Sequence, residues 1–181
     1  MPTGNMYIAD KDNLCIRKIT PNADVTTFAG GQWGYQDGVG QASRFNRPMG
    51  IAIDAQGNLY VTDYFNNRIR KITPSAVVST LAGTGSYGSQ DGQALTEATF
   101  AHPIAIAVAS NGIVYVSENE GDCIIRLITP NGKVETIASF KDAVSGSPFN
   151  FGGIYGLAID KNGVLHASDY YNNRICKITY K

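Results

Sequence analysis

The sequence has no excess of either charge. Lys plus Arg is 15 and Asp plus Glu is 15 among 181 residues, a formal net charge of zero. A phosphate-binding surface carries a basic excess or stripe, so no nucleic-acid partner is expected. Attraction to an anionic membrane surface is disfavoured on the same ground. No apolar run approaches the roughly 18 residues that a membrane-spanning helix needs. Cysteine and histidine are scarce. Cys15, Cys123 and Cys176 form an odd set with no CxxC spacing and no adjacent histidine, so they read as semi-buried strand residues, not as a disulfide framework or a zinc site. His102 and His166 are the only histidines, too few for a histidine-rich metal centre, and neither a metal nor a cofactor is expected. Helical periodicity is also missing: no stretch keeps apolar residues at i, i+3, i+4 and i+7 between caps. The opening Met1 to Asn5 has no basic n-region and no apolar h-region, so no signal peptide is expected and the compartment stays open.

What the chain does have is a repeat. It is 43% hydrophobic and 17% charged, a folded composition. Four segments superimpose: Tyr7 to Pro21, Tyr60 to Pro74, Tyr115 to Pro130 and His166 to Tyr180, with a period of about fifty residues. Upstream of the last three stand Gly50-IAID, Ala105-IAVA and Gly156-LAID. Downstream of the first three stand Val25-TTFAG, Val77-VSTLAG and Val134-ETIAS. A full unit therefore reads as four short strands rich in Ile, Val, Tyr and Thr: Gly50–Asp54 (a), Leu59–Asp63 (b), Arg68–Thr73 (c) and Val77–Ala82 (d). The turns Asp54 to Asn58, Ser110-Asn-Gly112 and Asp160 to Gly163 suit tight hairpins, and Pro130-Asn-Gly132 suits the c–d turn. Four antiparallel strands per unit at this period predict an all-β fold, a propeller of four-stranded blades. The units fall at about 1–30, 31–83, 84–139 and 140–181 of a single domain.

The run from Pro48 to Ile69, Pro-x-Gly-Ile-Ala-Ile-Asp followed by Gly-Asn-Leu-Tyr-Val-x-Asp-x-x-Asn-Asn-Arg-Ile, resembles the NHL repeat. It is especially similar to the bacterial and algal variant, in which a DG-containing loop (Gly34 to Gly40) precedes Phe45-Asn-x-Pro48. Unit three departs from the pattern with Ala105 for Gly, Ala109 and Glu118 for Asp, and Cys123 for Arg; unit four has Ile154 for Pro. The resemblance implies six blades in a closed ring. The chain opens at strand b and closes at strand c, and Gly4-Asn5-Met6-Tyr7 matches Gly57-Asn58-Leu59-Tyr60, so it is expected to be part of a longer array or to be completed by a second copy, most simply as a dimer.

Loop length separates two faces. The a–b and c–d turns are minimal, whereas Gly30–Arg47, Gly83–His102 and Ser139–Gly153 are long connections that gather aromatics. Candidate ligand-binding residues are Trp33, Tyr35, Tyr64, Phe65, Arg68, Tyr87, Tyr170, Tyr171 and Arg174, with Phe149 at a further loop tip. Phe45, Phe100 and Phe151 are expected to plug the gaps between blades. In Asp63…Arg68 and Asp169…Arg174, the Asp can accept turn amides, an Asn can take the left-handed conformation and the Arg can bridge blades. A motif that recurs in successive blades answers to a recurring structural need, and the same reading covers Asp37-Gly38 and Asp91-Gly92. The spaced oxygen ligands of a calcium loop are not there. The expected role is a non-catalytic module that recognises a protein, peptide or glycan. Alternatives are a self-assembling repeat unit and, since some similar propellers are lyases or hydrolases, a metal-dependent enzyme; the Ile, Ala and Gly of the inner strands lean away from the last. Far-UV circular dichroism is expected to show β-sheet with almost no helix, and a helical content above about a fifth would contradict this reading.

Overall fold

A computed structural model describes residues 4–119, 123–138 and 152–178. It contains four antiparallel blades. The first is β1 (Met6–Asp10), β2 (Cys15–Ile19) and β3 (Val25–Gly30). The second opens with a two-residue strand β4 (Gly38–Val39), then β5 (Pro48–Ile53), β6 (Leu59–Asp63), β7 (Arg68–Ile72) and β8 (Val77–Ala82). The third repeats it with β9 (Gly92–Gln93), β10 (Pro103–Val108), β11 (Val114–Glu118), β12 (Ile124–Ile128) and β13 (Lys133–Ala138). The fourth is β14 (Ile154–Ile159), β15 (Leu165–Asp169) and β16 (Arg174–Ile178). Among the described residues there is no α-helix; Gly40–Ala42 and Tyr64–Asn66 form single 3₁₀ turns. The expected strand bounds hold to within two residues at every edge of the second blade.

The strands are short because each can bury a side chain against a neighbouring blade on either face, and three apolar clusters sit between blades. Ile16, Phe45, Leu59 and Ile72 join the first two; Ile69, Phe100, Val116 and Ile128 the second and third; Ile125, Ile154 and Ala167 the third and fourth. Phe45 and Phe100 are fully buried, as the plugging role requires. Gly30, at the end of β3, and Gly83, just after β8, take φ of +80° and +99°, and a Cβ on either would meet the plugging ring or the backbone of the preceding b–c turn. Phe151 lies outside the described residues.

At the ring centre, neighbouring a strands are tied by a hydroxyl. The Gly50 amide donates to Thr62 Oγ1 (2.7 Å), which donates in turn to the Ile104 carbonyl of the next blade (2.8 Å). Ser117 repeats this between Ala105 and Ile154. The tie needs an irregular a strand, and β5, β10 and β14 all break register just after their first residue.

The two DG loops differ from the expectation of structureless connections on one face. Each leaves its blade junction, runs down the outer edge, and pairs as a fifth strand with the start of strand d, Gly38 opposite Val78 and Gly92 opposite Val134. Gly40 and Ala94 donate to the c–d turns at Ala76 and Gly132, on the opposite face from where the loop began. An extra strand there covers edge amides that would otherwise recruit other chains.

What holds the loop down is an arginine. Arg70 is fully buried between Asp63 (2.7 Å), itself buried, and Asp37 of the loop (2.7 Å), and also donates to the carbonyls of Arg44 and Gln36. Arg126 does the same with Glu118, Asp91, Thr99 and Gln90. Burial pushes the Asp63 and Glu118 carboxyls up, against the downward pull of their donors. Asp63→Ala would leave Arg70 buried with half its charge partners gone, and is expected to cost about 3–5 kcal/mol in urea unfolding. A loss near zero would mean that the guanidinium is hydrated.

Candidate functional site on the long-loop face

The b–c turns share one backbone feature. Leu14, Asn67, Cys123 and Asn173 all take positive φ of 46–57° immediately before strand c. Asn tolerates that conformation better than most residues because its short amide bonds locally. Asn67 Nδ2 reaches the Gly85 carbonyl, while its Oδ1 accepts from the His102 amide. The pairing of β11 with β12 puts Ile124 opposite Glu118, as Arg68 stands opposite Asp63. Cys123 therefore replaces Asn67, and Ile124 is the residue in the Arg68 position. The turn in the third blade is one residue longer, which shifts a gapless alignment.

Asp63 does not mainly cap its own turn. It accepts the Asn46 amide (2.8 Å) from the incoming loop, the Asn66 side chain and Arg70. Asp169 likewise accepts the Gly152 amide, Asn172 and Arg174. Arg68 reaches forward into the next blade junction, donating to Thr84 O at 2.6 Å, and lies 3.8 Å from the Tyr35 ring centroid. The Tyr35 hydroxyl is held against Thr80 Oγ1 (2.9 Å). Tyr35 and Arg68 are thus tied into the wall between loop and blade, although Tyr35 stays partly open to solvent. Arg174 is half exposed beside Asp169.

The remaining candidates fall into two groups. At the neck of each DG loop a bridge pairs an outward aromatic with an inward one, Trp33 with Phe45 and Tyr87 with Phe100. Trp33 is 70% exposed and Tyr87 58%. Beside Tyr87, His102 stacks on Tyr64 (centroids 4.6 Å, planes 15° apart), with Phe65 edge-on to both rings. Tyr64 is half-buried in this stack, not at an open tip, because His102 takes positive φ and folds its ring back over the b–c turn. The second group is Tyr155, Tyr170 and Tyr171, edge-to-face at 5.0–5.4 Å, with Tyr170 63% and Tyr171 66% exposed. A hydrogen bond with Tyr171 holds the Tyr155 phenol above its usual range. Phe149 lies outside the described residues.

Sequence reasoning passed over Arg70, Arg126, His102 and Tyr155. The arginines had a readable signal, a charge repeated inside the otherwise apolar c strand together with a repeated Asp-Gly upstream. His102 and Tyr155 had none, since their roles depend on ring stacking between segments. Among the described residues no three His, Cys, Asp or Glu side chains come together in a way that could hold a metal ion.

Radially arranged antiparallel blades, their neighbouring a strands tied at the centre and loops running along the outer edge, define a β-propeller. The NHL repeat pattern matches residues 45–72. The chain is 32% identical over 136 residues to Protein SUPPRESSOR OF QUENCHING 1, chloroplastic, of Arabidopsis thaliana, covering 69% of this chain and 13% of that protein. It is 29% identical over 162 residues to human NHL repeat-containing protein 2, covering 82% of this chain and 22% of the relative. It thus spans under a quarter of the length of either. Among solved structures, a streptogramin B lyase superimposes with a TM-score of 0.68 at 20% identity, over 99% of this chain and 49% of the other. The chain belongs to the NHL-repeat β-propeller family.

Trp33→Ala is expected to change unfolding free energy by under about 0.5 kcal/mol, as surface substitutions do. Tyr64→Ala, which removes the stack on His102, is expected to cost about 1–3 kcal/mol. Equal effects in thermal and urea unfolding would overturn the division into open and packed aromatics.

Proposed function

We propose that this NHL propeller is a non-catalytic binding and scaffold module whose long-loop face recognises a protein, peptide or glycan. The observation that carries this reading is the set of open aromatics on that face. Trp33, Tyr87, Tyr170 and Tyr171 are each more than half exposed, yet they are held by a backbone bridge or by a neighbouring ring. Rigid aromatic surface binds at low entropic cost. The balanced charge favours an uncharged or weakly charged partner over nucleic acid or a membrane. A metal-dependent lyase or hydrolase is the alternative; it draws support from the propeller lyase that the fold resembles, and none from a cluster of ligating side chains among the described residues.

A second reading concerns assembly. Ile8 on the first blade and Ile175 on the fourth are 46% and 70% exposed, whereas Val61 and Ile69, in the matching strands of the second blade, are fully buried. Covering a blade face of several hundred Å² contributes several kcal/mol at about 25 cal/mol per Å². The surface that fits is another NHL blade, from the same polypeptide or from a second copy.

Two measurements check these readings. The triple variant Trp33→Ala, Tyr87→Ala, Tyr170→Ala is expected to keep its melting temperature while losing binding on glycan and peptide arrays that the parent chain scores on; retained binding would move the site elsewhere. Light scattering of the 181-residue chain at micromolar concentration is expected to give a mass above 19.4 kDa. A clean monomer would mean that these faces stay bare or close on each other.

A further inference from the structure

The face opposite the long loops holds a cavity of about 400 Å³ between the second and third blades. Tyr60, Lys71 and Leu81 form one wall; Val114, Ile128 and Pro130 form the other. Its size falls within the range of small-molecule pockets, and Asp54, Gln56, Asn58 and Thr129 add polar groups to its lining.

The cavity has a cause in the sequence. Strand d bulges once in each of the first three blades, between the residues paired with Ile16 and Arg17, Ile69 and Arg70, and Ile125 and Arg126. The bulged residue is Phe28, Leu81 or Ile137. In the first blade the Phe28 ring packs edge-on against Tyr7 at 5.1 Å. In the second, Tyr60 holds the place of Tyr7, but Leu81 is shorter and leaves the Tyr60 ring bordering open space.

The polar groups at the mouth are unequal. Asp54 is saturated: it accepts both Asn58 donors, the Gln56 amide and the Tyr60 hydroxyl. Burial and that bond push the Tyr60 phenol up to about 12, so it stays a neutral donor. Lys71 is different. Its ammonium lies 5.6 Å from the Tyr60 ring centroid, half-buried, and makes no ion pair among the described residues. In the third blade the same positions are Ala109 and Leu127, without charge. A half-buried ammonium with no ion pair among the described residues, beside an aromatic face and across the cavity mouth from a carboxylate already engaged by its own donors, suits an anion that carries an apolar body.

We propose that this inter-blade cavity is a binding site for a small organic monocarboxylate with a flat apolar body, its carboxylate paired with Lys71 and its body lying between Tyr60, Leu81 and Ile128. This site is independent of the long-loop face, and occupancy would bridge the second and third blades.

Phenylacetate is the probe, with 2-phenylethanol and phenethylamine as neutral and cationic counterparts, followed by amide chemical shifts of the ¹⁵N-labelled chain. Saturable shifts are expected at Leu81, Gly112 and Gly132 with phenylacetate, weaker by about tenfold with 2-phenylethanol and absent with the amine. Lys71→Met keeps the apolar stem and is expected to weaken phenylacetate by about tenfold while leaving 2-phenylethanol unchanged. Leu81→Phe installs the residue that the first blade already carries at this position, so the blade should still fold, and it is expected to abolish the shifts. No saturable shift with phenylacetate, equal affinity for the amine, or undiminished binding by a folded Leu81→Phe chain would each overturn the proposal.

Discussion

A guanidinium withdrawn completely from water needs its donors met and its charge balanced inside the protein. Arg70 and Arg126 impose that requirement on their blades. Each draws a carboxylate from the end of strand b, a second from the loop that precedes the blade, and two carbonyls from that loop. The loop therefore cannot swing free as a long connection; it is drawn along the outer edge and becomes a fifth strand. The same guanidiniums lie 5.0–5.1 Å from the centroids of Phe45 and Phe100, so the ion pair and the apolar plug are fixed together.

The candidate face inherits its geometry from this arrangement. Because the loop is anchored low on the blade by Asp37 or Asp91, only its neck rises to the long-loop face, and there Trp33 and Tyr87 point outward from the bridges that send Phe45 and Phe100 inward. Blades one and four show what happens when a member of the set is exchanged. Arg17 holds Asp10 and Thr27, while Cys176 stands where the others have arginine and Arg174, two residues earlier, reaches Asp169 instead. The carboxylate at the end of strand b is kept and its partner changes, which is how a repeat can drift in sequence without losing its turn.

Much of this was legible in the residues. The period, the alternation of short β-rich runs and the Asn-Gly turns define blades, because strand length and turn chemistry are local properties of the chain. The burial of Phe45 and Phe100 was legible too, since both close a loop just before a proline-led strand. Tyr64 was not: a tyrosine in a b–c turn looks like a loop tip until His102, 38 residues later, folds back over it. The phase of the third b–c turn came from the strand pairing, because a gapless alignment sets Cys123 against Arg68 where the structure puts Ile124 opposite Glu118.

The sequence by itself determined the all-β class, the four-stranded unit, its recurrence and the neutral surface, all of which follow from periodicity and composition. Only the tertiary structure decided which charges are structural and which surfaces are open. Asp37 and Arg70 are 33 residues apart, and nothing local shows that the arginine is fully buried beneath the loop that carries the carboxylate. Phe28 and Leu81 are likewise interchangeable apolar residues on paper. Packed against Tyr7 and Tyr60, one places a ring in the gap and the other leaves a cavity, because the volume of a gap is a property of two blades together and of neither alone.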